Sequence, residues 1–117
     1  MQVEIGVIGG SGLYDIAGLR GRETVRPDTP FGPPSGDIVV GELEDVPVAF
    51  VARHGQGHRI PPSHVPYRAN ILALKSLGAH TVVAVNAVGS LDLDLAPGDL
   101  AVPEDLFDRT YGRPATF

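Results

Sequence analysis

The run VPVAFVARHGQGHRIPPS at residues 46–63 constrains the fold most tightly, because an apolar strand leads directly into Arg53, His54 and His58 on a glycine-rich turn. Val48, Phe50 and Val51 belong to a β-branched and aromatic run that predicts a largely buried strand, and Gly55 and Gly57 then force a change of direction. In open α/β sheets, ligands gather beyond the carboxyl ends of the strands. Arg53 is therefore expected to present its planar fork of donors to a phosphate or carboxylate, with His54 able to donate a hydrogen bond or a proton beside it. A solvated loop has the same local pattern, so the rest of the chain must decide between the two.

The size of the ligand follows from charge. A formal net charge of -5 over 117 residues argues against the broad basic footprint that nucleic acid or an anionic membrane requires. A local cluster such as Arg53, His54, His58 and Arg59 can still hold one small anion. With 43% hydrophobic residues the chain can build a core, and 117 residues predict a single domain over 1–117. There is no cysteine, hence neither a disulfide framework nor a thiolate metal site. MQVEIGVIGG carries no basic leader, and no later run approaches the roughly 20 apolar residues of a membrane span, so a cytoplasmic protein is expected.

Residues 3–8 alternate and then run apolar into Gly9, Gly10, Ser11 and Gly12, which predicts a first strand delivering a glycine-rich loop. Glycine tolerates the dihedrals that aim backbone amides at an anion. A dinucleotide fingerprint would need a third glycine where Asp15 stands, and the following IAGLRGRETV reads as a poor helix. A triphosphate-binding loop would need a lysine, and none is present there. What remains is a small loop with one hydroxyl, Ser11, or a tight turn without a ligand.

RPDTPFGPPS at residues 26–35 is dense in proline and glycine and predicts an ordered loop. Residues 37–43 and 46–53 read as two antiparallel strands joined at Glu44 and Asp45. Beyond them Ile60, Pro61 and Pro62 should be extended. Tyr67, Ile71, Leu74 and Leu77 mark one face of an amphipathic helix that ends at Gly78. Pro66 suits its first turn, Ser63 or His64 its cap, and Lys75 its carboxyl end. TVVAVNAV at residues 81–88 is the most strand-like stretch and predicts a central strand covered on both faces. Asn86 near its end either bonds neighbouring backbone or meets a ligand, since an unpartnered buried amide costs about 1 to 3 kcal/mol. The last part has a turn at Pro97, Gly98 and Asp99 and a short strand at 100–102, and its strand-and-helix pattern stops before it closes. Asp92, Asp94 and Asp99 lack the spacing of a calcium loop and read as solvated turns.

Several stretches together resemble the methylthioadenosine and purine nucleoside phosphorylases. They are IGVIGGSGLYD at 5–15, DTPFGPPSGD at 28–37, VARHGQGHRIPPSHVPYRANILALKSLG at 51–78, VNAVGSL at 85–91, PGDLAVPEDLFDRT at 97–110 and RPATF at 113–117, in the family's order and approximate spacing. The resemblance implies an α/β fold with a mixed central β-sheet flanked by helices, of which this chain would be the amino-terminal part. It also implies a pentosyltransferase of purine salvage: phosphate attacks the ribosyl anomeric carbon of a nucleoside such as 5'-methylthioadenosine or methylthioinosine, giving free purine and a pentose 1-phosphate.

By the same resemblance Ser11, Arg53, His54, Asn86 and Ala87 would bind phosphate, and Val88 and Gly89 would wall the base and sugar. No catalytic role falls on His58 or His64, and no catalytic residue is assigned within this chain. Neither a metal nor a redox cofactor is implied, inorganic phosphate being the co-substrate, and the assembly implied is a homotrimer. Pro66 stands where the family usually has asparagine, and the asparagine at position 86 leans toward 6-oxopurines. The family's chain is more than twice as long, and its later part supplies the purine-reading aspartate, the proposed general acid and much of the ribose pocket. The alternative is a phosphate-binding or interaction module without activity of its own.

Overall fold

The computed structural model describes residues 2–10, 13, 16–114 and 116–117, in two units, Met1–Asn86 and Ala87–Phe117. The first unit is built on five strands, β1 (Ile5–Gly9), β2 (Arg20–Val25), β3 (Ile38–Leu43), β4 (Val46–Ala52) and β5 (Thr81–Val85), with one helix, α1 (Tyr67–Ser76). Their order across the sheet is β2-β3-β4-β1-β5. The mixed α/β sheet expected from the sequence is therefore present.

β3 and β4 form the predicted hairpin, with Leu43 opposite Val46 and Ile38 opposite Val51. Glu44 and Asp45 close it with φ of 49° and 65°. Two successive positive φ values give a turn whose twist matches the flanking strands. β1 runs parallel to both β4 and β5, with Gly9 paired to Ala52 on one side and to Val85 on the other. Parallel neighbours need a crossover, and α1 supplies it between β4 and β5. The carboxyl ends of β4, β1 and β5 thus lie side by side.

One face of the sheet and the inner side of α1 make the core, from Val3, Ile38, Val40, Ala49, Val51, Ala73 and Leu74. Gly6 is needed there: a Cβ on it would lie 2.9 Å from Leu74 Cδ1.

Four expectations are corrected. β2 was read as poor helix; its alternating charges and Gly21 lie exposed, and it is a strand because β3 offers it a ladder, from Glu23 opposite Val40 to Val25 opposite Ile38. The buried face of α1 is Ala69, Asn70, Ala73 and Leu74, while Tyr67, Ile71 and Leu77 are half-buried. Two alanines let the helix lie close to the sheet, which rotates the buried stripe. β5 is an edge strand among the described residues, with all five of its residues exposed, and it ends at Val85. No strand forms at 100–102.

Smaller differences lie at the element ends. β1 begins at Ile5 rather than at residue 3. Ser63 and His64 belong to a short 3-10 turn, Pro62–His64, and Pro66 occupies the position just before α1, without a side-chain cap.

Residues 87–117 contain no helix or strand among the described residues. Their local order comes from short side-chain contacts. Asp94 N–H donates to Asp92 Oδ1 at 2.9 Å and Ala96 N–H to Asp99 Oδ2 at 2.8 Å. The aspartates thus act as turn formers, as expected. Gly98 has φ of 95° in the predicted turn. Thr110 donates to Asp108 Oδ1 from both its hydroxyl, at 2.6 Å, and its amide, at 2.8 Å. The hydroxyl contact, more than the amide, holds the Asp108 carboxyl below its usual range.

Candidate functional site

Arg53 and His54 occupy the turn that follows β4, and that turn is fixed from several sides. Gly55 N–H donates to Ala52 C=O at 2.9 Å, Arg53 N–H to Gly9 C=O at 2.9 Å, and Ile60 N–H to His54 C=O at 2.9 Å. The second of these extends the β1–β4 ladder, so the backbone of Arg53 is in register with the end of β1. Gly55 and Gly57 have φ of 73° and 76°, a region in which glycine carries no Cβ penalty.

The Arg53 side chain turns back across the ends of β1 and β5. Its Nη1 donates to Asn86 Oδ1, and its Nη2 lies against Gly10, where a Cβ would be only 2.8 Å away. Gly10 N–H in turn donates to Val85 C=O at 3.2 Å. One guanidinium therefore touches all three parallel strand ends. Asn86, which the sequence left between a backbone bond and a ligand, partners Arg53 through its carboxamide oxygen.

His54 is 8% exposed and held at both ring nitrogens. Nδ1 lies 2.8 Å from Ile60 C=O and Nε2 lies 3.2 Å from Arg53 Nε. A carbonyl only accepts, so Nδ1 carries the proton in the neutral ring and Nε2 accepts from Arg53. In this state His54 orients the guanidinium. Donation from Nε2 to an anion requires a proton on that nitrogen and, with it, a shift of the Arg53 Nε–H that now donates there.

The remaining candidates divide. Ser11, with Gly12, lies outside the described residues. His58 packs against His54, with ring centroids 4.4 Å apart and ring planes tilted by 36°, and has φ of 54°. Arg59 folds along Gly57, a Cβ on which would be 3.3 Å from its Nε. His64 lies in the 3-10 turn, its Nδ1 3.1 Å from Ser63 Oγ. Ala87, Val88 and Gly89 open the second unit and are exposed. No group of three metal-ligating side chains is placed to hold an ion among the described residues, and no described helix is long and apolar enough to cross a membrane.

Two residues that sequence reasoning passed over stand directly behind the turn. Ser35 Oγ donates to Ala52 C=O at 2.6 Å, and Ser35 N–H donates to Asn70 Oδ1 at 2.8 Å. A polar residue among the alanines of α1 was the available signal.

Chemically, the cluster offers a fixed cation with several donors, an imidazole and a carboxamide at the ends of parallel strands. That set suits a tetrahedral oxyanion. Residues 4–117 match the family model described as the phosphorylase superfamily. The S-methyl-5'-thioadenosine phosphorylase of Chloroflexus aurantiacus is 58% identical over 114 residues, 97% of this chain and 40% of the relative. A methylthioadenosine phosphorylase crystal structure from an antarctic soil metagenomic library is 55% identical, with a TM-score of 0.66 over 72% of this chain and 30% of that one. The adenosine/methylthioadenosine phosphorylase of Schistosoma mansoni, solved with adenine as a variant in which a serine and an asparagine are replaced by threonine, gives a TM-score of 0.76 at 47% identity, over 83% of this chain and 34% of that one. The chain thus spans about two-fifths of the length of the curated relatives it matches.

Proposed function

The chain belongs to the phosphorylase superfamily, and from that premise we propose that it carries the phosphate half-site of a purine nucleoside phosphorylase acting on 5'-methylthioadenosine. The observation that carries this reading is the Arg53 guanidinium, which lies over Gly10 and is bonded to Asn86 where three parallel strands end.

In the proposed reaction an oxygen of inorganic phosphate attacks C1' of the ribosyl group. The bond from C1' to the purine nitrogen breaks, its electron pair leaves with the base, and the base takes up a proton. The products are adenine and 5-methylthioribose 1-phosphate. Such displacements pass through an oxocarbenium-like state, in which a phosphate held beside the sugar is both nucleophile and counter-charge. Arg53 and Asn86 would fix that phosphate, with Ser11 and the Ala87 backbone as further donors, while Val88 and Gly89 would face base and sugar. His54 would align Arg53 by accepting from its Nε, or, with a hydrogen on Nε2 and Arg53 Nε moved aside, donate to the phosphate itself. No metal or redox cofactor enters this scheme, and a homotrimer is the proposed assembly.

The relatives' names favour a 6-aminopurine over the 6-oxopurines toward which Asn86 leans. The Schistosoma mansoni protein is named for adenosine as well as methylthioadenosine, and it too carries a serine and an asparagine that were exchanged for threonine. Adenosine is therefore proposed as a second substrate. Incubating the full-length gene product with 5'-methylthioadenosine, adenosine and methylthioinosine, with and without phosphate, tests the reading. It predicts phosphate-dependent release of adenine from the first two. Base release that ignores phosphate would make the protein a hydrolase. Phosphate binding without turnover would favour the alternative of a binding module.

A further inference from the structure

We propose that Asn70 and Ser35 are positioning residues for phosphate capture, acting through the backbone of the Arg53–His54 turn; this rests on the phosphate reading above. Neither residue touches the anion in this scheme. Ser35 braces the turn at both of its ends. Its hydroxyl donates to Ala52 C=O at 2.6 Å, the same carbonyl that receives Gly55 N–H. Its own carbonyl lies against Gly55, close enough that a Cβ there would be 2.8 Å away.

Ser35 is itself held from α1. Its amide donates to Asn70 Oδ1 at 2.8 Å, and its hydroxyl oxygen is 3.2 Å from the same atom. An amide N–H cannot accept, so this contact fixes which end of the Asn70 carboxamide is oxygen. Asn70 is 1% exposed and stands among Ala69, Ala73 and Leu74 on the core side of the helix. Its Nδ2 has no acceptor among the described residues. A buried donor without a partner is unfavourable, and an apolar residue of the same size would avoid it. What the carboxamide contributes is the oxygen, and the oxygen serves Ser35. The chain of contacts therefore runs from α1 through Asn70 and Ser35 to Ala52, one residue before Arg53.

Three variants of the full-length gene product test this: Ser35→Ala, which removes only the hydroxyl, Ser35→Thr, which keeps it, and Asn70→Leu. Phosphate is varied at saturating 5'-methylthioadenosine, then the nucleoside at saturating phosphate. A misplaced Arg53 should raise KM for phosphate about tenfold in Ser35→Ala and Asn70→Leu, with KM for the nucleoside within about twofold. Because both act along one path, the double variant should be no worse than the worse single variant. Ser35→Thr should restore most of the loss.

An unchanged phosphate KM in Ser35→Ala overturns the proposal, as does a fall in kcat that simply follows a fall in melting temperature. Should Asn70→Leu not fold, the single hydroxyl of Ser35 still decides the matter. If wild type shows no phosphate-dependent turnover, the phosphorylase reading fails on its own, and calorimetric titration of inorganic phosphate into wild type and Ser35→Ala decides positioning separately. About tenfold weaker binding in the variant supports it, and equal affinity, or none in wild type, overturns it.

Discussion

Arg53 Nη2 and Gly10 are in such close approach that a Cβ on Gly10 would lie 2.8 Å from that nitrogen and 3.4 Å from Val85 C=O. The guanidinium can cross from β4 to β5 only because the residue between them has no side chain.

Gly10→Ala should therefore act on the site more than on the fold. The displaced group is the far end of a flexible side chain, so the melting temperature should change little. Moving the donor fork proposed to hold phosphate should raise KM for phosphate about tenfold at nearly constant KM for the nucleoside. Steady-state kinetics beside a thermal melt check the two halves of this prediction.

Gly6→Ala should do the reverse. The added methyl meets Leu74 Cδ1 at 2.9 Å and Leu74 Cβ at 3.2 Å, and Leu74 is fully buried. Overpacking of this kind costs about 1 to 3 kcal/mol. Denaturant unfolding measures it, and Leu74→Val in the same chain should recover part of the loss because it vacates volume at the point of contact.

Asn86→Thr should loosen Arg53 without removing it. A threonine hydroxyl is shorter than the carboxamide whose oxygen accepts from Arg53 Nη1. Loss of one hydrogen bond of about 1 kcal/mol corresponds to roughly a fivefold rise in KM for phosphate. Saturation curves for phosphate on the two proteins give the comparison.

Acid should affect the β2–β3 end of the sheet through Asp37. Arg26 Nε and Nη2 donate to its two carboxylate oxygens at 2.6 and 2.8 Å, and these bonds hold the Asp37 carboxyl below its ordinary value of 3.8. A depressed folded-state value means that the stabilisation is fully present above about 3.8 and is lost as pH falls through the lowered value. Arg26 is exposed, so the effect is small and screened by salt. Melting of Arg26→Gln against wild type across pH should show a modest deficit at neutral pH that closes in strong acid.

How far the sequence was legible depended on the kind of signal. The β3–β4 hairpin could be read from two apolar runs about Glu44 and Asp45, and the Arg53–His54 turn from the glycines after β4, because local chemistry sets both. β2 was not legible, since Gly21 and three charged residues carry no strand pattern of their own and the ladder to β3 imposes the conformation. The valines of β5 encoded a demand for burial but not the element that meets it; Val83 is 45% exposed on an edge strand. Arg53, His54 and Asn86 were named from the sequence, yet the closure of Arg53 over Gly10 was not, because it depends on β1 lying between β4 and β5. Asn70 and Ser35 were missed because a contact between residues 35 apart leaves no periodic trace.

Arg53 is the proposed anchor for phosphate at the meeting of three strand ends. The phosphate KM of the full-length gene product, wild type against Arg53→Ala at saturating 5'-methylthioadenosine, tests it most directly. Removing a charge-assisted donor pair should raise that KM by about 10- to 100-fold, whereas equal phosphate KM values in the two proteins would contradict the account.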